Sequence, residues 1–208
     1  VTGGGIGSRL MELFCKKASE RVSVRLMLDR VGSRGMVSSA LVRQLVESGG
    51  EIYFYNHLGW YHCWQPWLWF PRDHVKTMLI DSRIGYTGGV CFDQKMAGWR
   101  DTQVRFTSPD VIHQVRNDFD HLWRRFKGEH NLYPPYPALP NARCCYVVSM
   151  PGRSGVAIYK ELKAVIRQAS KAIYLTSPYF IPDMVFMRLL KNAALRGVEV
   201  ILLVTHNS

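Results

Sequence analysis

Apolar and polar positions along the chain follow two periods that trade places. Over 8–20 the apolar residues stand at 10, 13, 14 and 18, a spacing that predicts a helix with those residues on its inner face. The run 22–28 is apolar and β-branched, ends at Asp29, and predicts a buried strand. A second helix is predicted over 38–48, stopped by Gly49-Gly50, and a second strand over 52–55. Two further strands, 75–80 and 84–87, flank a tight turn at Asp81-Ser82-Arg83, and 102–106 predicts another. Ser108-Pro109-Asp110 is a helix start: a capping Ser, Pro at the first helical position, then an acid. Val111, Val115, Phe119, Leu122 and Phe126 line the predicted inner face of that helix. The β-α-β order predicts a layered α/β fold.

The segment 133–141, YPPYPALPN, holds four prolines and predicts a boundary. Beyond it the pattern restarts: a strand over 144–149, a helix over 156–169, a strand over 172–176, a helix over 184–195 and a strand over 198–204. This restart is an internal repeat. Set LMELFCKKASERVSVRLMLD (10–29) on FMRLLKNAALRGVEVILLVT (186–205), at an offset of 176 residues. Met11, Leu13, Ala18, Val22, Val24 and Leu26 then meet identical residues. Three segments result: a first half over 1–127, a Pro-rich linker over 128–142, and a second half that begins at 143 and runs to 208.

The net charge of +11 suits an anionic partner, whether nucleic acid, acidic lipid or a phosphorylated substrate. The five cysteines form no C-x-x-C pair, which predicts a reducing compartment and no structural zinc. The segment 52–71 contains no Asp, Glu, Lys or Arg, but Asn56, His57, Gly59, His62, Gln65 and Pro66 argue against a spanning helix. Trp60, Tyr61, Trp64, Trp67 and Trp69 there form either an interfacial patch at lipid headgroups or ordinary core packing. His57, His62 and Cys63 do not follow a common zinc spacing.

The chemistry concentrates in RDHVKTMLIDSRIGYTGG (72–89). His74, Lys76 and Asp81 stand in an H-x-K-x-x-x-x-D spacing, and Gly88-Gly89 follows. A strand over 74–80 places His74 and Lys76 on one side. A neutral imidazole can attack phosphorus. A lysine beside it stabilises the charge that develops on the phosphate oxygens. A glycine pair lets backbone approach a ligand closely.

This stretch, with GWRDTQVRF (98–106) after it, resembles the phospholipase D superfamily, and within it bacterial cardiolipin synthases. YLTSPYFIPD (174–183) and AALRGVEV (193–200) are similar to the start of that family's second half. The resemblance implies a phospholipase D-like layered α/β fold, a tandem pseudo-two-fold repeat truncated here at both ends. Two H-x-K-x-x-x-x-D motifs would meet at one site, with one histidine as nucleophile, the other as acid, and no metal or cofactor. His74, Lys76 and Asp81 match the first motif. Gly88, Gly89 and Cys91 match the substrate-binding positions, though many members carry Asn where Cys91 stands. Asp101 either orients His74 or forms a structural ion pair. The implied reaction moves a phosphatidyl group between phosphatidylglycerol molecules through a phosphohistidine, and this chain alone would be inactive. The implied partners are anionic phospholipid at the cytoplasmic face of a bacterial inner membrane, and the second half of the same chain or a second chain in a dimer. A nuclease or phosphodiesterase of the same superfamily, and a non-catalytic lipid-binding relative, are the alternatives. The Trp-rich stretch and the internal repeat favour lipid over nucleic acid.

Overall fold

A parallel strand pair anchors the first part of the molecule. β1 (Arg25–Asp29) and β2 (Glu51–Tyr55) align from Arg25↔Glu51 to Asp29↔Tyr55. α1 (Ile6–Ser19) precedes them and α2 (Ala40–Glu47) makes the crossover. The structure is a computed structural model that describes residues 5–55, 72–128, 144–149 and 157–204. The chain divides into two compact units, Val1–Tyr146 and Val147–Ser208.

The core of the first unit is Met11, Cys15, Ala18, Met36, Val42 and Leu45, with Val24, Leu26, Ile52 and Phe54 packed against it. Fully buried side chains such as Met36 and Leu45 each contribute about 1.5–3 kcal/mol. α1 therefore buries Gly7, Met11, Cys15 and Ala18 rather than the stripe its largest residues suggest, and Leu13 is exposed. A stripe of small and medium residues lets the helix lie close to α2 and the strands. α2 starts at Ser39, whose side chain accepts from the Val42 amide at 3.2 Å.

After β2 come β3 (Thr77–Ile80), β4 (Ile84–Gly88) and β5 (Gln103–Phe106), an antiparallel sheet in the order β3-β4-β5. α3 (Pro109–Phe126) follows and buries Val111, Ile112, Val115 and Trp123. Phe119, Leu122 and Phe126 are half-buried. Phe126 and Trp123 meet Tyr53 of β2 at ring distances of 5.6 and 5.8 Å. Ser108 occupies the predicted cap position but its side chain makes no cap hydrogen bond; its carbonyl accepts from the Ile112 amide at 2.9 Å.

The predicted strand at 144–149 is absent: these residues have no regular structure. A strand needs a ladder partner for its amides. Here the Tyr146 amide donates instead to the Gln114 side-chain carbonyl on α3, at 2.9 Å.

The second unit runs α4 (Ala157–Gln168), β6 (Ala172–Ser177), α5 (Met184–Leu195) and β7 (Glu199–Val204). β6 and β7 are parallel, from Ala172↔Glu199 to Ser177↔Val204. Ile166, Phe186 and Leu190 form its core. Asp183 caps α5 by accepting from the Phe186 amide at 2.7 Å. Arg196 donates to the carbonyls of Ile166, Arg167 and Ala169 and so closes the end of α4. Each unit thus sets helices against a parallel strand pair, a layered and open α/β arrangement.

Candidate functional site

The register of the β3-β4-β5 sheet decides which of the chemistry-bearing residues share an end. Thr77 pairs with Thr87, and Gly88 with Gln103. The residues just before β3, the close of β4 and the start of β5 therefore lie together. His74 and Lys76 precede β3, and Gly88 and Gly89 close β4 at that same end.

The expected strand over 74–80 begins only at Thr77, so His74 and Lys76 do not share a pleated face. They are joined another way. The Lys76 ammonium donates to the His74 carbonyl at 2.9 Å. The Thr87 hydroxyl donates to the Lys76 carbonyl at 3.1 Å and ties the segment to β4. With their carbonyls engaged, these residues present an exposed His74 side chain and a half-buried Lys76.

Asp81 lies at the other end. The four-residue β3, about 13 Å long, separates it from His74 and Lys76. Asp81 and Ser82 both have positive φ, 53° and 50°, and the Arg83 amide donates to the Ile80 carbonyl at 3.0 Å. This is a type I′ turn, whose twist matches that of a hairpin. Asp is one of the few non-glycine residues that tolerate the left-handed region.

The glycine pair is a packing requirement. A Cβ on Gly88 would stand 2.2 Å from the Thr102 carbonyl oxygen, and one on Gly89 2.3 Å from Asp101 Oδ1. The Gly89 amide donates to the Thr102 carbonyl at 3.1 Å. Asp101 Oδ1 accepts from the Thr102 amide at 2.7 Å, so this carboxylate organises the start of β5 beside Gly89. The half-buried Cys91 thiol donates to the Gly89 carbonyl at 3.6 Å. The structure gathers His74, Lys76, Gly88, Gly89, Cys91 and Asp101 around one end of the sheet and leaves Asp81 at the other.

Beneath this end lies a polar cluster that the motif does not announce. The Arg72 guanidinium pairs with Asp29 at the close of β1. The Gly32 amide donates to Asp29 at 2.7 Å and the Asp73 amide at 3.3 Å. Burial pushes the Asp29 carboxyl up, but the Arg72 hydrogen bond, the two amides and the Arg72 charge together hold it below the usual range. Asp73 shifts the opposite way. Burial, then the Asp29 and Asp118 charges, raise it, although the Val75 amide donates to it at 3.0 Å. Tyr146 is pushed up to about 12, chiefly by burial, and its hydroxyl bonds Thr77 at the start of β3. Arg72 and Asp73 adjoin His74 in sequence, a signal open to inspection. Asp29, Asp118 and Tyr146 are distant in sequence and carried no local signal.

Trp60, Trp64, Trp67 and Trp69, and with them His57, His62 and Cys63, lie outside the described residues. Among the described residues no helix is long and apolar enough to cross a membrane.

The family model described as cardiolipin synthase, PLD-like domain, matches residues 6–123. The cardiolipin synthase of Halalkalibacterium halodurans is 31% identical over 220 residues, covering 96% of this chain and 41% of that protein. The major cardiolipin synthase of Bacillus subtilis is 29% identical over 213 residues, covering 95% of this chain and 43% of that protein. Cardiolipin synthase A of Pseudomonas putida is 31% identical over 213 residues, covering 96% and 42%. The chain thus spans less than half the length of these curated relatives. Among solved structures, the polyphosphate kinase of Porphyromonas gingivalis superposes with a TM-score of 0.55 at 18% identity, covering 94% of this chain and 30% of that one. That likeness is one of fold.

Proposed function

We infer the function from one premise: the chain belongs to the family of the cardiolipin synthase, PLD-like domain, which its match over residues 6–123 establishes. The observation that carries the inference is the exposed His74 side chain next to Lys76, at the sheet end where Gly88 closes β4 and Gly89 follows. We propose that the whole protein transfers phosphatidyl groups between phosphatidylglycerol molecules.

In this reading a neutral His74 imidazole attacks the phosphorus of a phosphodiester. The P–O bond to glycerol breaks, and glycerol leaves with a proton. The phosphatidyl group is held on His74 as a phosphohistidine. Lys76 neutralises charge on the phosphate oxygens as the bond changes occur. An acceptor hydroxyl then attacks phosphorus, loses its proton and frees His74. One imidazole cannot stand on both faces of the phosphorus, so the leaving alcohol takes its proton from a second group. We place that group on a second copy of the motif in the whole protein, whose relatives are more than twice as long as this chain. The positive net charge suits an anionic headgroup.

The test uses the whole protein and vesicles of phosphatidylglycerol. His74→Ala is expected to lower glycerol release by about 10³-fold or more. In the unmodified protein an acid-labile phosphoryl adduct should map to His74 by mass spectrometry. An adduct on another residue, with transfer retained in His74→Ala, overturns the assignment.

A further inference from the structure

Asp29 ends β1 with its carboxylate mostly shielded, 14% exposed, and that carboxylate collects donors from two distant parts of the chain. Oδ1 accepts from the Gly32 amide at 2.7 Å and from Arg72 Nη2. Oδ2 accepts from the Asp73 amide at 3.3 Å. Gly32 belongs to the turn that follows β1. Arg72 and Asp73 lie more than forty positions later and immediately precede His74.

Beyond Asp73, further bonds hold the segment. Asp73 Oδ1 accepts from the Val75 amide at 3.0 Å, the Lys76 ammonium donates to the His74 carbonyl at 2.9 Å, and the Thr87 hydroxyl donates to the Lys76 carbonyl at 3.1 Å. The segment 72–76 has no ladder of its own, because β3 starts at Thr77. Its course is set by these side-chain bonds, and among the described residues they are anchored to the parallel pair at Asp29. Arg72 adds a reason for that fixity. Its Nη1 is buried and has no hydrogen-bond partner among the described residues, so loss of Asp29 would leave a partly buried guanidinium without the carboxylate that pairs with it.

We propose that Asp29 is a positioning residue for His74 and Lys76. Its carboxylate clamps Arg72 and the Asp73 amide to the end of β1, and so fixes where the imidazole and the ammonium meet a phosphodiester. This rests on the reading of His74 as nucleophile. Asp29 touches neither substrate nor reacting atoms; it acts through the segment it holds. A nucleophile displaced by about 1 Å can lose about a hundredfold in rate, so the clamp bears on kcat rather than on headgroup binding.

The experiment compares Asp29→Ala, Asp29→Asn and His74→Ala in the whole protein, well below the melting temperature. Transfer kinetics and amide hydrogen exchange are read on the same samples. Asp29→Ala is expected to lower kcat by about 10- to 100-fold with KM within about twofold. The Asp73 and Val75 amides should exchange faster while those of β3, α1 and α2 keep their rates. Asp29→Asn, which retains a carbonyl acceptor, should fall between; it also serves alone if the alanine variant does not fold. Unchanged exchange at Asp73 and Val75, or exchange raised equally throughout the first unit, overturns the proposal. If His74→Ala keeps full transfer, the nucleophile reading fails instead, and the local exchange pattern still decides whether Asp29 holds the segment.

Discussion

At the scale of single residues, the site divides into what a local motif can announce and what only the fold can assemble. His74, Lys76 and the glycine pair are legible as a candidate site because their spacing sits within eighteen residues of sequence, and the hairpin register brings both ends of that stretch together. Asp81 was legible as a turn residue, and the positive φ values bear that out. Asp29 and Tyr146 were not legible, since a parallel strand pair and a helix carry them to β3 from far along the chain. Tyr146 gives a testable consequence. Its hydroxyl is pushed up to about 12 in the folded protein, by burial first and then by the Asp118 and Asp73 charges. The unfolded tyrosine ionises near 10. Below pH 10 both states are protonated and the stabilisation is complete. Between pH 10 and 12 the unfolded state loses its proton first, so stability falls by up to about 1.4 kcal/mol per pH unit from this group. Urea denaturation at pH 9, 10 and 11 should show a shallower decline in Tyr146→Phe than in the unmodified protein. Parallel declines would mean that the hydroxyl is not shielded.

At the scale of elements, the sequence marks helix ends more clearly than helix faces or strand ends. α1 and α5 stop in the same way. The Arg21 amide donates to Ala18 and the Val22 amide to Lys17; the Gly197 amide donates to Ala194 and the Val198 amide to Ala193. These are matching Schellman closures, and 21 + 176 = 197 reproduces the sequence offset. The inner faces do not follow that offset. Met11, Cys15 and Ala18 are buried in α1, whereas α5 buries Phe186, Leu190 and Ala193, one position earlier than the offset places them. Identical letters therefore do not share an environment: Met11 is buried and its counterpart Met187 is exposed. A closure depends on backbone geometry and survives such a rotation, while a face depends on what packs against it. The strands expected at 74–76 and 144–149 are absent for a related reason, since apolar alternation does not show whether a partner amide stands opposite. The closures differ in one respect. Arg21 adopts φ 65°, a conformation that costs a side-chain-bearing residue about 1 kcal/mol, whereas Gly197 at φ 89° is glycine. Arg21→Gly is expected to stabilise the first unit by about 0.5–1 kcal/mol, and Gly197→Ala to destabilise the second by about 1 kcal/mol. Denaturant midpoints decide it; a destabilising Arg21→Gly would show that the arginine side chain outweighs its backbone strain.

At the scale of the whole molecule, the proposed reaction at a membrane makes separable predictions for charge and for the aromatic stretch. On the proposed function, the net charge of +11 would draw the protein to anionic lipid through a field that salt screens within about 8–10 Å. Trp60, Trp64, Trp67 and Trp69 fall in a stretch without Asp, Glu, Lys or Arg, and insertion of such rings among headgroups is not screened. Binding of the whole protein to vesicles containing phosphatidylglycerol should therefore show two components in a salt titration. One falls steeply with ionic strength and is absent on neutral vesicles. The other persists at high salt and should be lost in Trp64→Ala/Trp67→Ala. The double variant should also lose transfer on vesicles more than hydrolysis of a soluble diester, because its His74 end is untouched. Equal losses on both substrates would place the tryptophans in the core, leaving the basic surface to account for all of the membrane attraction.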